Sequence, residues 1–160
     1  MSIEQRLRDL DIALPLVSAP AANYANAVRT GNLLFISGKG PLPVNGKLPK
    51  GKLGREYSVD DGYRMARSAA LDLIAVMRAE LGSLEHVARV VEVQGFVNST
   101  PEFEDHADVL NGCSDLLVEI FQQRGVHARS VFGACSLRAG LPLVLKAVIE
   151  VAQAQVETAN

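Results

Sequence analysis

The chain has 160 residues, 48% of them hydrophobic and 21% charged, with a formal net charge of −2. A chain of that size buries roughly 70% of its unfolded surface around one core, so a single domain over residues 1–160 is expected. Its charge balance gives no reason to invoke nucleic acid or an anionic membrane, no apolar run is long enough to span a bilayer, and residues 1–10 lack a signal-peptide core, so the cytosol is the expected compartment.

Ile3, Leu7 and Leu10 fall at i, i+4, i+7 and predict a short amphipathic helix. Pro15 and Pro20 then force an irregular connection. Ala25 to Arg29 and Leu33 to Ser37 are strand-like runs joined by the turn Thr30-Gly31-Asn32, which predicts a hairpin. Gly38 to Gly54 is broken by prolines and glycines and is expected to be loop. Ser58 opens a long helix as its cap, with Asp61 in the capping-box position. Ala66, Ala69, Leu73, Met77 and Leu81 make the inner stripe of that helix, and Gly82 can end it in a left-handed conformation. Val87 to Val97 is apolar on both faces and is expected as an interior strand.

Thr100-Pro101-Glu102 has the composition of a helix start: a cap, a proline in the first turn, and an acid against the dipole. Phe103, Leu110, Leu117 and Phe121 would be its inner face, with Gly125 closing it. Strands over Ala128 to Ser136 and Leu143 to Ala152 complete the pattern. The order hairpin, helix, strand, helix, strand, strand predicts an α+β protein, a mixed sheet with two long helices on one face. In the last strand Leu143, Leu145, Ala147, Ile149 and Val151 form an apolar face suited to lie under the helices. The opposite face, Val144, Lys146, Val148 and Glu150, is too apolar to stay in water and is expected to be a subunit interface.

Several constellations fail on spacing. His86, His106 and His127 lie on different elements with no paired-ligand spacing, so no metal is expected. Ser37-Gly38-Lys39-Gly40 runs into Pro41 and Pro43 rather than a helix, which excludes a phosphate loop, and no G-x-S-x-G elbow is present. Cys113 and Cys135 read as buried free thiols, with a redox or ligand-contacting role as the alternative for Cys135. Lys39, Lys47, Lys50, Lys52 and Arg55 occupy a stretch without acids. No aromatic lies between Lys39 and Arg55 to stack a base, so a solvated loop is expected rather than an RNA surface.

Arg129 stands apart. Its strand face, Arg129, Val131, Gly133 and Cys135, offers no acid, yet a guanidinium keeps its charge in any environment. Two readings remain: an ion pair with a carboxylate elsewhere in the chain or in a neighbouring subunit, or capture of a ligand carboxylate by its planar fork. His127, just before it, is expected to point to the opposite side.

Four segments in order, Ala19-Pro20-Ala21-Ala22-Asn23-Tyr24, Phe35-Ile36-Ser37-Gly38, Asn111-Gly112-Cys113-Ser114-Asp115-Leu116 and His127-Ala128-Arg129-Ser130, resemble the RidA/YjgF family, also called L-PSP endoribonucleases. The likeness runs from about Val17 to Ala152 and is greatest to the longer branch, with residues 1–16 as an N-terminal helical extension. It implies a chorismate-mutase-like fold, a homotrimer with clefts between subunits, and no cofactor. It also implies a small carboxylate-bearing metabolite held by Arg129, with Tyr24, Ser37, Gly38 and Asn111 lining or bracing the cleft and Val131 and Cys135 facing it. Deaminases of the family hydrolyse imine or enamine intermediates to a 2-keto acid and ammonia with help from a glutamate on the last strand. Here that position is Val144 or Val148, depending on whether the alignment runs from Arg129 or from Leu141-Pro142. A non-catalytic binding or sensor protein is therefore the alternative.

Overall fold

The computed structural model describes residues 1–153; residues 154–160 of the expected 1–160 span lie outside it. The chain runs α1 (Ile3–Asp9), β1 (Ala27–Thr30), β2 (Leu33–Lys39), α2 (Val59–Leu81), β3 (Val87–Asn98), α3 (His106–Phe121), β4 (Ala128–Ala134) and β5 (Leu143–Val151). The five strands form one sheet in the order β1-β2-β5-β3-β4, in which only β3 and β4 run parallel. This is the expected mixed α+β arrangement.

The local signals for the first half hold. The β1–β2 hairpin closes through Gly31-Asn32, where Gly31 takes φ 59, a conformation open to glycine without a Cβ penalty. Ser58 and Asp61 form a reciprocal capping box, and Gly82 ends α2 at φ 75. Ala66, Ala69, Leu73 and Met77 are fully buried, as are Leu143, Leu145, Ala147, Ile149 and Val151 of β5. The helices and that sheet face make the core. Ile3 and Leu7 of α1 join it. The opposite face of the sheet stays open and carries Val28, Phe35 and Phe132 exposed, with Phe96 stacked on Phe132 at 5.9 Å between ring centroids.

Two expectations fail for tertiary reasons. The second long helix begins at His106, not at Thr100-Pro101-Glu102. The Thr100 N–H donates to the Leu53 carbonyl, and the Ser99 N–H to that of Ala134, so this backbone continues the sheet's pairing. A local cap signal loses to those bonds, and Thr100–Phe103 becomes a turn. The residue that breaks α3 is Gln122 at φ 54; Gly125 ends the 3-10 turn that follows.

The basic stretch is not uniformly solvated either. Strand β2 extends to Lys39, which is 6% exposed and lies 3.8 Å from Asp72, itself 3% exposed. Its ammonium also donates to Asn26 Oδ1 at 2.8 Å and to Ser18. Lys47 and Lys50 are exposed as expected. No helix among the described residues is long and apolar enough to cross a membrane.

Candidate ligand-binding site

Arg129 is second in the edge strand β4, in register with Val93 of β3, and Val131 is in register with Gly95. Val93 is buried under the helices, and paired residues share a face, so Arg129 and Val131 also point to the helix side. There the guanidinium meets α3. Nη1 donates to Asn111 Oδ1 at 2.8 Å and Ser114 Oγ at 3.1 Å, and Nη2 donates to the Ala107 carbonyl at 3.3 Å. Residues 107, 111 and 114 stand at i, i+4, i+7, one face of a helix. Arg129 is thus fixed in place by three neutral acceptors. Among the described residues no carboxylate lies within ion-pair distance of it. Arg129 is thus a half-buried positive charge with no carboxylate partner among the described residues.

His127 does not point away. It precedes β4, and its Nε2 lies 2.9 Å from Ser114 Oγ while Nδ1 lies 2.6 Å from the Gly125 carbonyl. A carbonyl only accepts, so the proton belongs on Nδ1, and the neutral ring then accepts the Ser114 hydroxyl at Nε2. Burial lowers the His127 pKa below its ordinary value, partly offset by the Gly125 bond, with the nearby Arg129 charge lowering it too. The relay His127–Ser114–Arg129 turns a lone pair of Ser114 toward the guanidinium. The error was one of periodicity: residues 127 and 129 are two apart, the spacing that shares a face.

The remaining residues assigned to the site lie elsewhere in the chain. Ser37 and Gly38 sit at an irregularity of β2, between the pairs Ile36↔Ala147 and Lys39↔Leu145. Ser37 Oγ donates to the Ala25 carbonyl at 2.6 Å, tying the strand to the segment that carries Tyr24. Tyr24 and Gly38 line a cavity of about 180 Å³ together with Lys39, Asp72 and Arg138. Val144 lies close to Gly38 as well: a Cβ on Gly38 would lie 2.7 Å from Val144 Cγ1. Of the two valines, Val144 is therefore the one beside this half. Val148 pairs with Phe35 and Glu92 farther along the sheet. Glu150 is engaged with Arg89 at 3.4 Å, and Lys146 stands opposite Gln94.

Strands β2 and β4 are separated by β5 and β3, three strand spacings or about 14 Å. One chain therefore brings Arg129 together with Asn111 and Ser114, and Tyr24 with Gly38, but does not join the two groups. Cys135 belongs to neither. It is exposed rather than buried and lines another cavity beyond the end of β4. Cys113 is buried behind Arg129; desolvation raises its thiol pKa to about 12, against the lowering pull of the Arg129 charge. Sequence reasoning passed over Ser114 as a partner of Arg129, although its i+3 relation to Asn111 was visible. It also missed Arg138, whose approach to Tyr24 and Gly38 depends on the path of the loop before β5.

A family model described as “YjgF/chorismate mutase-like, putative endoribonuclease” matches residues 4–151. This chain belongs to the RidA/YjgF family. Protein TCP17 of Trypanosoma cruzi is 38% identical over 149 residues, covering 92% of this chain and 93% of its own length. The crystal structure of Atu1372 from Agrobacterium tumefaciens, a protein with unknown function, is 36% identical. It superposes with a TM-score of 0.85, covering 93% of this chain and 92% of its own. An endoribonuclease-family crystal structure from Shewanella oneidensis is 31% identical with a TM-score of 0.89, covering 94% and 99%. The family resemblance read from four short segments thus extends over nearly the whole described chain.

Proposed function

We propose that this protein is a RidA-like cytosolic homotrimer that binds a small carboxylate-bearing metabolite through Arg129. In this reading the cleft lies between copies: Arg129, Asn111, Ser114 and Val131 of one protomer face Tyr24, Ser37 and Gly38 of the next. The observation that carries it is Arg129 itself, a guanidinium positioned by neutral groups, with no carboxylate partner among the described residues. A ligand carboxylate would complete it with a charge-assisted pair contributing on the order of 1.5–3 kcal/mol. The open, partly aromatic sheet face would be the surface through which copies associate.

The reaction assigned to this site is hydrolysis of an imine tautomer: water adds to the C=N carbon, the nitrogen gains two protons, and ammonia leaves a 2-keto acid. No cofactor is needed. A second reading, a non-catalytic binding or sensor protein, is favoured by one observation. Val144, one of the two valines that can align with the family's glutamate, lies beside Gly38 and has no group to move a proton. Cleavage of RNA is not the reading supported, given the net charge of −2 and no stacking aromatic between Lys39 and Arg55.

The test measures ammonia release from 2-aminoacrylate generated in situ, and pyruvate binding by calorimetry, for wild type and Arg129→Ala. Arginine-dependent acceleration supports the deaminase. Arginine-dependent pyruvate binding without acceleration supports the sensor. Neither in a folded protein would overturn the proposal. Sedimentation should give a trimer for both proteins.

A further inference from the structure

A further cavity lies away from Arg129. It holds about 590 Å³ and opens beyond the carboxyl ends of the parallel pair β3 and β4, against the start of α3. That volume lies within the range of small-molecule sites. Gly133, on its wall, is four residues along β4 from Arg129, about 13 Å.

The charges of the wall are unbalanced. Lys52, Arg55 and His106 line it, and no carboxylate does. Lys52 is held by two neutral acceptors, Asn98 Oδ1 and the Cys135 carbonyl, each at 2.6 Å. Asn98 is in turn fixed by donating to the Leu141 carbonyl at 3.1 Å. The ammonium has three hydrogens, so one is left for the cavity, and no described carboxylate is within ion-pair distance. Beside it, His106 Nε2 lies 3.3 Å from Ser99 Oγ, and the His106 ring stands edge-on to Phe103 at 5.2 Å. Gly133 makes room for this pair: a Cβ there would lie 2.8 Å from His106 Nε2. At the start of α3 the Asp105 side chain makes no capping bond, so it does not satisfy the first-turn N–H groups. Arg55 is exposed and engaged with Glu56 at 2.8 Å, which leaves Lys52 as the positioned charge.

We propose that this cavity is a second binding site, for a small organic anion with a flat apolar body. Lys52 takes the carboxylate or phosphate-monoester head with help from Ser99 and His106, and Phe103 takes the body. The site stands independently of the function proposed for Arg129. It is a binding site rather than a Ser–His catalytic pair, because no acid among the described residues orients the other nitrogen of His106. Exposed Glu102, Glu104 and Asp105 lie in the same stretch of chain as the lining residues. Their charge disfavours extended polyanions and selects a small ligand.

Cys135 provides the readout, because it is exposed on this wall while Cys113 is buried. The alkylation rate of Cys135 by iodoacetamide would be measured with phenyl phosphate or benzoate, with inorganic phosphate and benzyl alcohol as head-only and body-only controls. Saturating phenyl phosphate or benzoate should slow it at least fivefold in wild type and in Arg129→Ala alike. The stronger of the two identifies the preferred head. Lys52→Gln should remove the protection. Phe103→Ala should weaken protection by the aromatic probes while leaving that by inorganic phosphate unchanged, which covers the case where Lys52→Gln does not fold. No protection by either probe, or equal protection in Lys52→Gln, would overturn the proposal. So would protection that vanishes in Arg129→Ala, since it would assign the ligand to the other site.

Discussion

Lys39 and Asp72 are both over nine-tenths buried, and the removal of either has a calculable consequence. Asp72 Oδ2 accepts from Ser18 Oγ at 2.6 Å, but Oδ1 has no hydrogen-bond partner among the described groups. Its charge thus depends on Lys39, 3.8 Å away. Lys39→Met strands a carboxylate in the core, and breaking such a pair from one side costs about 3–5 kcal/mol. At ~2.1 cal/mol/K per residue, unfolding 160 residues carries ~0.34 kcal/mol/K, so Tm should fall by about 9–15 °C. Lys39→Met combined with Asp72→Leu removes both charges at similar volume. Exposed Ser18 and half-buried Asn26 lose their contacts to the two side chains, at positions where water can replace them. The double variant should therefore recover to within about 1–2 kcal/mol of wild type. Urea unfolding followed by circular dichroism gives all four corners of the cycle. Single variants each costing less than about 1 kcal/mol, or a double variant equal to their sum, would refute the reasoning.

Native protein should react with one equivalent of a thiol reagent at Cys135 at pH 8 and with two after denaturation, because burial holds Cys113 near pKa 12. The folded pKa of His127 is depressed, so the neutral ring contributes fully above its unfolded value of about 6.5. That stability is lost as pH falls below it, and His127→Gln should flatten the decline in unfolding free energy between pH 7 and 5. Gly112→Ala would place a Cβ 1.9 Å from the Tyr63 carbonyl of α2, so it should cost about 3 kcal/mol or prevent folding, read as soluble yield and Tm. If the site is a deaminase slowed by its valine, Val144→Glu should raise ammonia release by about tenfold or more, whereas Val148→Glu should not; equal effects would remove Val144 from the argument.

The elements legible in the sequence were those whose signals act over a few residues. Ser58, Asp61 and Gly82 mark both ends of α2 because capping is decided within one turn. The alternation of β5 is equally plain, since one wholly apolar face has only one place to go. The start of α3 was misplaced because Ser99 and Thr100 bond to Ala134 and Leu53, partners far away in sequence. Lys39 was read as solvated because its acid stands on another element, at Asp72. Arg129 was legible as a charge without a local partner, but its acceptors on α3 were not, because they depend on how that helix lies over β4.

The division of the site follows from topology. Insertion of β5 and β3 between β2 and β4 places the Gly38 half and the Arg129 half at different parts of one sheet. No side-chain rearrangement closes about 14 Å, and moving either half would require breaking strand pairing in the core. The arginine half already has its orienting groups, Asn111, Ser114 and, through Ser114, His127, and no carboxylate partner among the described residues. The glycine half has a backbone left bare at Gly38 and a valine where a proton carrier would be useful. If the proposed site is right, those two facts together favour binding over proton transfer. That makes binding the property to measure first, with catalysis conditional on Val144. Association of copies would bring the two halves together without distorting either. A variant that keeps the fold but blocks association, such as Phe132→Lys on the open face, should therefore lose pyruvate binding while leaving the Arg129–Asn111–Ser114 cluster intact. Retained binding in a monomer would show that the arginine half suffices alone.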